Sequence, residues 1–377
     1  MTIGIPKEIE KNETRVPIIP ATAKRLTDLG AQVVIESGLG VACGYSDTLY
    51  KEAGAEVARR RELLASSDMI LRLGKPPVDE IDLLKQGSIH ISRLDPFREQ
   101  ATVSALASRG VATISMDMIP RVTRAQKVDS LSSQANLAGY VGVILAAERL
   151  TRVFPMMVTP AGTLSPARVF VIGAGVAGLQ AIATAHRLGA RVEAFDTRPV
   201  VEEQVQSLGA KFLKIDLGET GQTKDGYAKQ LTADQLAKQQ EIMARHCAAS
   251  DVVIAAAQVF GRKAPILITG EMLRKMTPGS VVVDMAMESG GNVEGSVPDE
   301  EIEIGGVRVV GYTNLAGRVP IHASQMYSAN IGGLVELFWD KEAKQFILDE
   351  DDEILRGCLL TKDGNVWNER VKEVYAA

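Results

Sequence analysis

Residues 168–196 read RVFVIGAGVAGLQAIATAHRLGARVEAFD, and no other stretch restricts the possible folds as tightly. An apolar run, Val169 to Ile172, passes directly into Gly173-Ala174-Gly175-Val176-Ala177-Gly178. A helical segment follows, then a second apolar run, Val192 to Phe195, that ends on Asp196. Strand, glycine turn, helix and strand in this order open a doubly wound parallel sheet, and each part has a mechanical task in binding a dinucleotide. Gly173 permits the tight turn. Gly175 has no side chain, so a pyrophosphate can approach the backbone. Gly178 lets the helix lie close on the sheet. The helix start offers N–H groups and a partial positive charge to phosphates. Asp196 stands 18 residues after Gly178, near the spacing of about 20 expected of an acid that accepts hydrogen bonds from ribose hydroxyls. A glycine turn that bound nothing would need none of this order.

At 377 residues the chain has material for about two domains. Short apolar strands alternate with helical stretches along most of it, the pattern of parallel βα units. Before the fingerprint, strands are expected near Ile3–Ile5, Gln32–Ile35, Met69–Leu73, Ser88–Ile91 and Val111–Ser115. From it onward they are expected near Val169–Ile172, Val192–Phe195, Phe212–Ile215, Val252–Ala256, Ser280–Asp284 and Arg308–Gly311. The fold class is therefore α/β: two doubly wound, Rossmann-like lobes of parallel sheet, with a cleft between them as the natural ligand site. A linking helix, 132–150, has Leu137, Tyr140, Val141, Ile144 and Leu145 at helical spacing, with Ser132 or Ser133 as N-cap. It leads from a first lobe, 1–131, into the fingerprint lobe, 132–323. The apolar stretch Ala323 to Trp339 carries the chain back, so that 324–377 completes the first lobe.

Composition excludes several classes. A net charge of −5 and the lack of a basic patch with interleaved aromatics argue against nucleic acid. The N-terminal MTIGIPKEIEKNE lacks the apolar core of a secretory signal, and no run approaches 18 apolar residues, so no membrane span is expected. Cys43, Cys247 and Cys358 are odd in number and widely spaced, which suits a reducing cytoplasm. No metal site is expected, and the acidic run Asp349-Glu350-Asp351-Asp352 reads as a solvated stretch. Residues 217–232, LGETGQTKDGYAKQLT, are too polar for a core and are broken by Gly218, Gly221 and Gly226. A loop of this length in a compact lobe is expected to act as a lid.

Residues 115–140, SMDMIPRVTRAQKVDSLSSQANLAGY, closely resemble the RAQ…D…LSS…N.AGY signature of the NAD(H)-binding subunit of proton-translocating NAD(P) transhydrogenases. The likeness continues through the glycine fingerprint, FDTRPVVEEQVQSLGAKFL, DGYAK, GRKAPILIT and PGSVVVDMAMESGGN. The resemblance implies hydride exchange between NADH in the cleft and NADP⁺ on a partner subunit, coupled to proton movement in a membrane component. The chain looks like the leading, soluble piece of a split alpha subunit. Its implied partners are an NADP(H)-binding beta subunit and a membrane-spanning second alpha piece, with the chain itself a homodimer. It would then be cytoplasmic, held peripherally at the inner membrane. The family's loop beside the nicotinamide carries over to Arg121, Gln126 and Asp129 as catalytic, with Lys127, Val128 and Ser132 as further cofactor contacts. The resemblance adds Val176, Thr197, Arg198, Gly226, Tyr227, Gln239 and Gln258 to the cofactor set.

The chemistry of these residue types agrees. Hydride transfer between two nicotinamides moves no proton at the reacting carbons, so it needs positioned rings and excluded water rather than a general acid or base. Gln126 can hold a carboxamide and a ribose hydroxyl, and Arg121 can pair with Asp129 or a phosphate. The chain is also similar to alanine dehydrogenase, the rival reading. Arg15 and Lys75 lie where that family keeps substrate-binding cations. The position of its catalytic histidine, however, falls in SRLDPF, where this chain has Asp95, expected to stay ionised beside its cations. A dinucleotide-binding regulator without chemistry is the third possibility. His90, His186 and His246 read as structural, and His322 is left open.

Overall fold

The computed structural model describes residues 1–215 and 232–376. The chain divides into two compact units: Met1–Gln134 together with the chain from Gly317 on, and Ala135–Ala316.

In the first unit, six parallel strands lie side by side in the order Glu56–Ala58, Gln32–Glu36, Thr2–Ile5, Met69–Leu71, Ile89–Ser92 and Ala112–Ser115. Numbered along the chain this is 3-2-1-4-5-6, the doubly wound order. Five of the six match the strands expected from sequence. Glu56–Ala58 does not, because three residues with two half-buried positions carry no alternation to read. The C-terminal strands Leu359–Lys362 and Asn365–Val366 extend the same sheet antiparallel beyond Ala112–Ser115.

In the second unit, Lys211–Phe212, Arg191–Phe195, Arg168–Ile172, Val252–Ala255, Val281–Asp284 and Val307–Val310 repeat the 3-2-1-4-5-6 order in parallel. A seventh strand, Glu301–Ile304, pairs antiparallel with the last of them. It escapes sequence reading because Glu301 and Glu303 are acidic, but Gly305-Gly306, with φ of +60° and +80°, make the two-residue hairpin turn that joins it to Val307. Continuous runs such as Val281–Val283, each fully buried, reflect a sheet covered on both faces.

The linking helix spans Ser130–Arg149, two residues earlier than expected. Neither Ser132 nor Ser133 is its N-cap. The carboxylate of Asp129 accepts from the Ser132 N–H at 2.9 Å and from its hydroxyl at 2.6 Å, the bonding of an Asp cap to its third helical residue. The return helix is Pro320–Leu337, begun by Pro320 at its first turn. Among the described residues no helix is long and apolar enough to cross a membrane.

His90 lies in the first sheet, fully buried, with Nε2 3.0 Å from Ser92 Oγ. Burial, aided by Arg72, holds its pKa down to about 3. The unfolded chain takes up that proton near the ordinary value of about 6.5. Between these two values the unfolded state binds more protons. Stability is thus full above about pH 6.5 and falls on acidification by up to about 1.4 kcal/mol per pH unit. Urea unfolding between about pH 6 and 4 should show a flatter pH dependence in His90→Asn by roughly this slope. Parallel profiles for variant and unaltered chain would contradict the assignment.

Candidate functional site

The glycine turn joins Arg168–Ile172 to the helix Val176–Arg187. Gly173 has φ +94°, and a Cβ there would meet the Ala256–Ala257 backbone at 2.9 Å. A Cβ on Gly178 would stand 1.8 Å from the Gly173 carbonyl oxygen. Gly175 differs from both: among the described residues, a Cβ there would meet nothing within 4 Å. The fold needs the first two glycines, whereas at Gly175 the missing side chain leaves open space. Gly175 also caps the helix without any side-chain acceptor, so its capping position offers no competitor to a ligand for the first-turn N–H groups. Val176, the first helical residue, is 37 % exposed. Open space at a helix N-terminus fits a pyrophosphate.

Asp196 follows the second strand of this unit. One of its oxygens accepts from the Ala174 N–H at 2.8 Å. Arg198 donates to the same carboxylate through its backbone N–H, Nε and Nη2 at 2.8–2.9 Å. The acid therefore fastens the glycine turn and carries an arginine, with Thr197 half-buried between them. Gln239, on the helix Ala233–Ala248, is buried. Its Nε2 reaches Met243 Sδ, while its Oε1 has no hydrogen-bond partner among the described residues. Gln258 is exposed and tied by Nε2 to the Met285 carbonyl at 3.0 Å. Beside it, Asn292 brackets Ala257 by bonding both its N–H and its carbonyl, and Asp284 accepts from the Ala286, Asn292 and Val293 N–H groups. Burial pushes the Asp284 carboxyl up despite those donors. Gly226 and Tyr227, and with them the expected lid, lie outside the described residues.

The Arg121–Ser132 segment belongs to the first unit. Thr123–Val128 forms a 3-10 turn in which Ala125 and Val128 point into the core and Gln126 and Lys127 face out. Arg121 is exposed at its start. Asp129 spends its side chain on Ser132, as the helix cap, rather than standing as the simple partner of Arg121 that its spacing suggests. Arg124 is tied to Asp352, which also caps the helix Glu353–Cys358. The acidic run is thus not merely solvated: Asp352 binds this loop and Glu350 pairs with Lys362.

Two cations expected of an amino-acid site are internally bound. Arg15, almost fully buried, takes three hydrogen bonds to Glu13 and one to Gln134 at 2.8 Å. Lys75 pairs with Glu99. Asp95 pairs with Arg98 at 2.7 Å, yet burial pushes its carboxyl up, with Asp117 and Glu99 adding to the rise against Arg98 and Arg93. The expected lowering by cations is therefore reversed, because desolvation outweighs them. His186 packs under Gly209, His246 bonds Glu193 at 2.9 Å, and His322 is exposed. The three cysteines are buried.

Comparisons with known proteins agree over nearly the whole length. Residues 4–138 match the family described as alanine dehydrogenase/PNT, N-terminal domain, and residues 142–369 match its C-terminal domain. The chain is 41% identical to the first of the separately encoded pieces of the NAD(P) transhydrogenase alpha subunit of Rhodospirillum rubrum, over 97% of each chain. It is 40% identical to the NAD(P) transhydrogenase subunit alpha of Haemophilus influenzae, covering 97% of this chain and 71% of that one. Among solved structures, the transhydrogenase from Sinorhizobium meliloti is similar with a TM-score of 0.85, 41% identity, and 98% and 100% coverage of the two chains. An L-alanine dehydrogenase is similar with a TM-score of 0.84 at 25% identity, covering 100% and 99%.

Proposed function

This chain belongs to the alanine dehydrogenase/PNT family and is a transhydrogenase component, and from that premise we propose that it is the NAD(H)-binding half of a proton-translocating enzyme. When bound, NADH supplies a hydride, which passes to NADP⁺ on a separate beta subunit. The observation that carries the reading is the fingerprint turn, with two glycines the fold requires and a third, Gly175, facing open space. Gly173, Gly175, Val176 and Gly178 would hold the pyrophosphate through backbone N–H groups. Asp196, Thr197 and Arg198 would hold the adenosine ribose, with Gln239, Gln258, Gly226 and Tyr227 as further contacts. Arg121, Gln126, Lys127, Val128, Asp129 and Ser132 would orient the nicotinamide end. The two sets belong to different units, and a cleft between the lobes is a component of the proposal.

Nothing in this scheme asks for a proton shuttle. Asp95, bonded to Arg98, stands where alanine dehydrogenases keep a histidine. The purified chain should therefore form no NADH from NAD⁺ and L-alanine. The relative from Haemophilus influenzae extends well beyond this chain's match, which supports a membrane-spanning second alpha piece as partner. A homodimer on the cytoplasmic face of the inner membrane completes the proposed assembly.

Cofactor choice is the immediate test. A 2′-phosphate would bring negative charge against Asp196, so NADH should bind about tenfold tighter than NADPH or better. Arg198 already sits on that carboxylate and would have to turn to the phosphate to reverse the preference. Fluorescence titration of both nucleotides against the chain decides it; equal or tighter NADPH binding would contradict the assignment of Asp196.

A further inference from the structure

The return helix Pro320–Leu337 is apolar and mostly buried, with Tyr327, Ile331, Leu334 and Val335 all fully enclosed. Asn330 interrupts that face and is itself only 7 % exposed. A buried amide in such surroundings has to find partners, and those of Asn330 straddle one junction. Its Nδ2 donates to the Lys127 carbonyl at 2.8 Å, and its Oδ1 accepts from the Ser133 hydroxyl at 2.7 Å. One partner precedes the Asp129 cap and the other follows it. One turn along the helix, a Cβ at Gly333 would touch Val128 Cγ1 at 3.5 Å, so the loop rests on the Asn330–Gly333 stripe. Lys127 is the residue next to Gln126, and another tether of this loop, Arg124–Asp352, has an exposed arginine. Exposed pairs of that kind hold geometry weakly.

We propose that Asn330 is a positioning residue for the transfer step: it clamps the 3-10 turn that presents Gln126, from a helix that itself need not touch nucleotide. The inference rests on the functional reading above. Asn330→Ala keeps a good helix former in place and removes both bonds. It should lower single-turnover hydride transfer at saturating NADH by about ten- to a hundredfold, since small misplacements of reacting groups have effects of this size. NADH affinity should stay within about threefold, because the adenosine and pyrophosphate contacts are elsewhere.

Amide hydrogen exchange on the nucleotide-free full chain gives a readout independent of activity. Peptides covering 121–129 should exchange faster in the variant, with the remaining peptides unchanged. A variant that transfers at the normal rate, or one whose exchange rises throughout the first unit, would overturn the proposal. Should Asn330→Ala fail to fold, Ser133→Ala takes its place. That change removes one of the two bonds and should give the same local exchange and a smaller loss of rate; no change in either would overturn the proposal. If the unaltered chain transfers no hydride in the same assay, the functional reading fails, and the exchange data alone judge the clamp.

Discussion

Gly175→Ala should weaken NADH binding by about 5- to 150-fold while leaving the fold nearly untouched. The argument rests on a contrast within one turn. A Cβ at Gly178 collides with the Gly173 carbonyl and one at Gly173 crowds the Ala256–Ala257 backbone, whereas one at Gly175 meets nothing within 4 Å among the described residues. Gly175 also has φ −77° and ψ −169°, extended backbone that alanine adopts without strain. Alanine is a poorer N-cap than glycine, which costs about 1 kcal/mol or less and shifts Tm by about 4 °C at most. With a pyrophosphate against the backbone, the added methyl is an overpacking change of about 1–3 kcal/mol, which converts to the stated loss of affinity. Gly178→Ala should do the opposite, destabilising the chain first. Thermal unfolding and NADH titration on the same preparations separate these effects. Normal NADH binding by Gly175→Ala would place the dinucleotide somewhere else.

The largest effect on rate is expected at Gln126. The 3-10 turn buries Ala125 and Val128 and turns Gln126 outward, so its amide can bond a ligand without disturbing the core. If it orients the nicotinamide, Gln126→Asn shortens the reach by one methylene and misaligns the reacting carbons. Such misplacement can slow transfer about a hundredfold. NADH affinity should fall only slightly, because the fingerprint contacts are intact. Single-turnover transfer to the NADP(H)-binding partner, measured beside an NADH titration, tests this. A normal rate, or a loss of rate explained wholly by weaker NADH binding, would remove Gln126 from the mechanism.

Much of the fold is legible in sequence because it is written in local signals. Fully buried parallel strands read as unbroken apolar runs, as in Val281–Val283 and Val252–Ile254. The glycine order at 173–178 has only one common structural meaning. The strands that sequence reading misses, Glu56–Ala58 and Glu301–Ile304, are edge segments with acidic residues and no apolar face. The candidate site is less legible for a different reason. Asp129 looks like a charge for a ligand, but its helix-cap bonds depend on where Ser130–Arg149 begins. Asn330 and Asp352 act on the same loop from more than 200 residues away in sequence, and no local pattern announces such a contact. An asparagine between Ala329 and Ile331 on an apolar helix is the one available hint. Asp95 is misread from sequence because its cations are evident there while its burial is not.

The central claim is direct hydride transfer from NADH on this chain to NADP⁺ on a partner subunit. The most direct measurement mixes this chain with the NADP(H)-binding subunit, NADP⁺, and NADH carrying deuterium at the transferred position, in a single turnover. The account predicts that the deuterium appears in NADPH, that none exchanges with water, and that no NADPH forms when either protein is omitted. Deuterium lost to solvent, or no NADPH formed with both proteins and both nucleotides present, would contradict it.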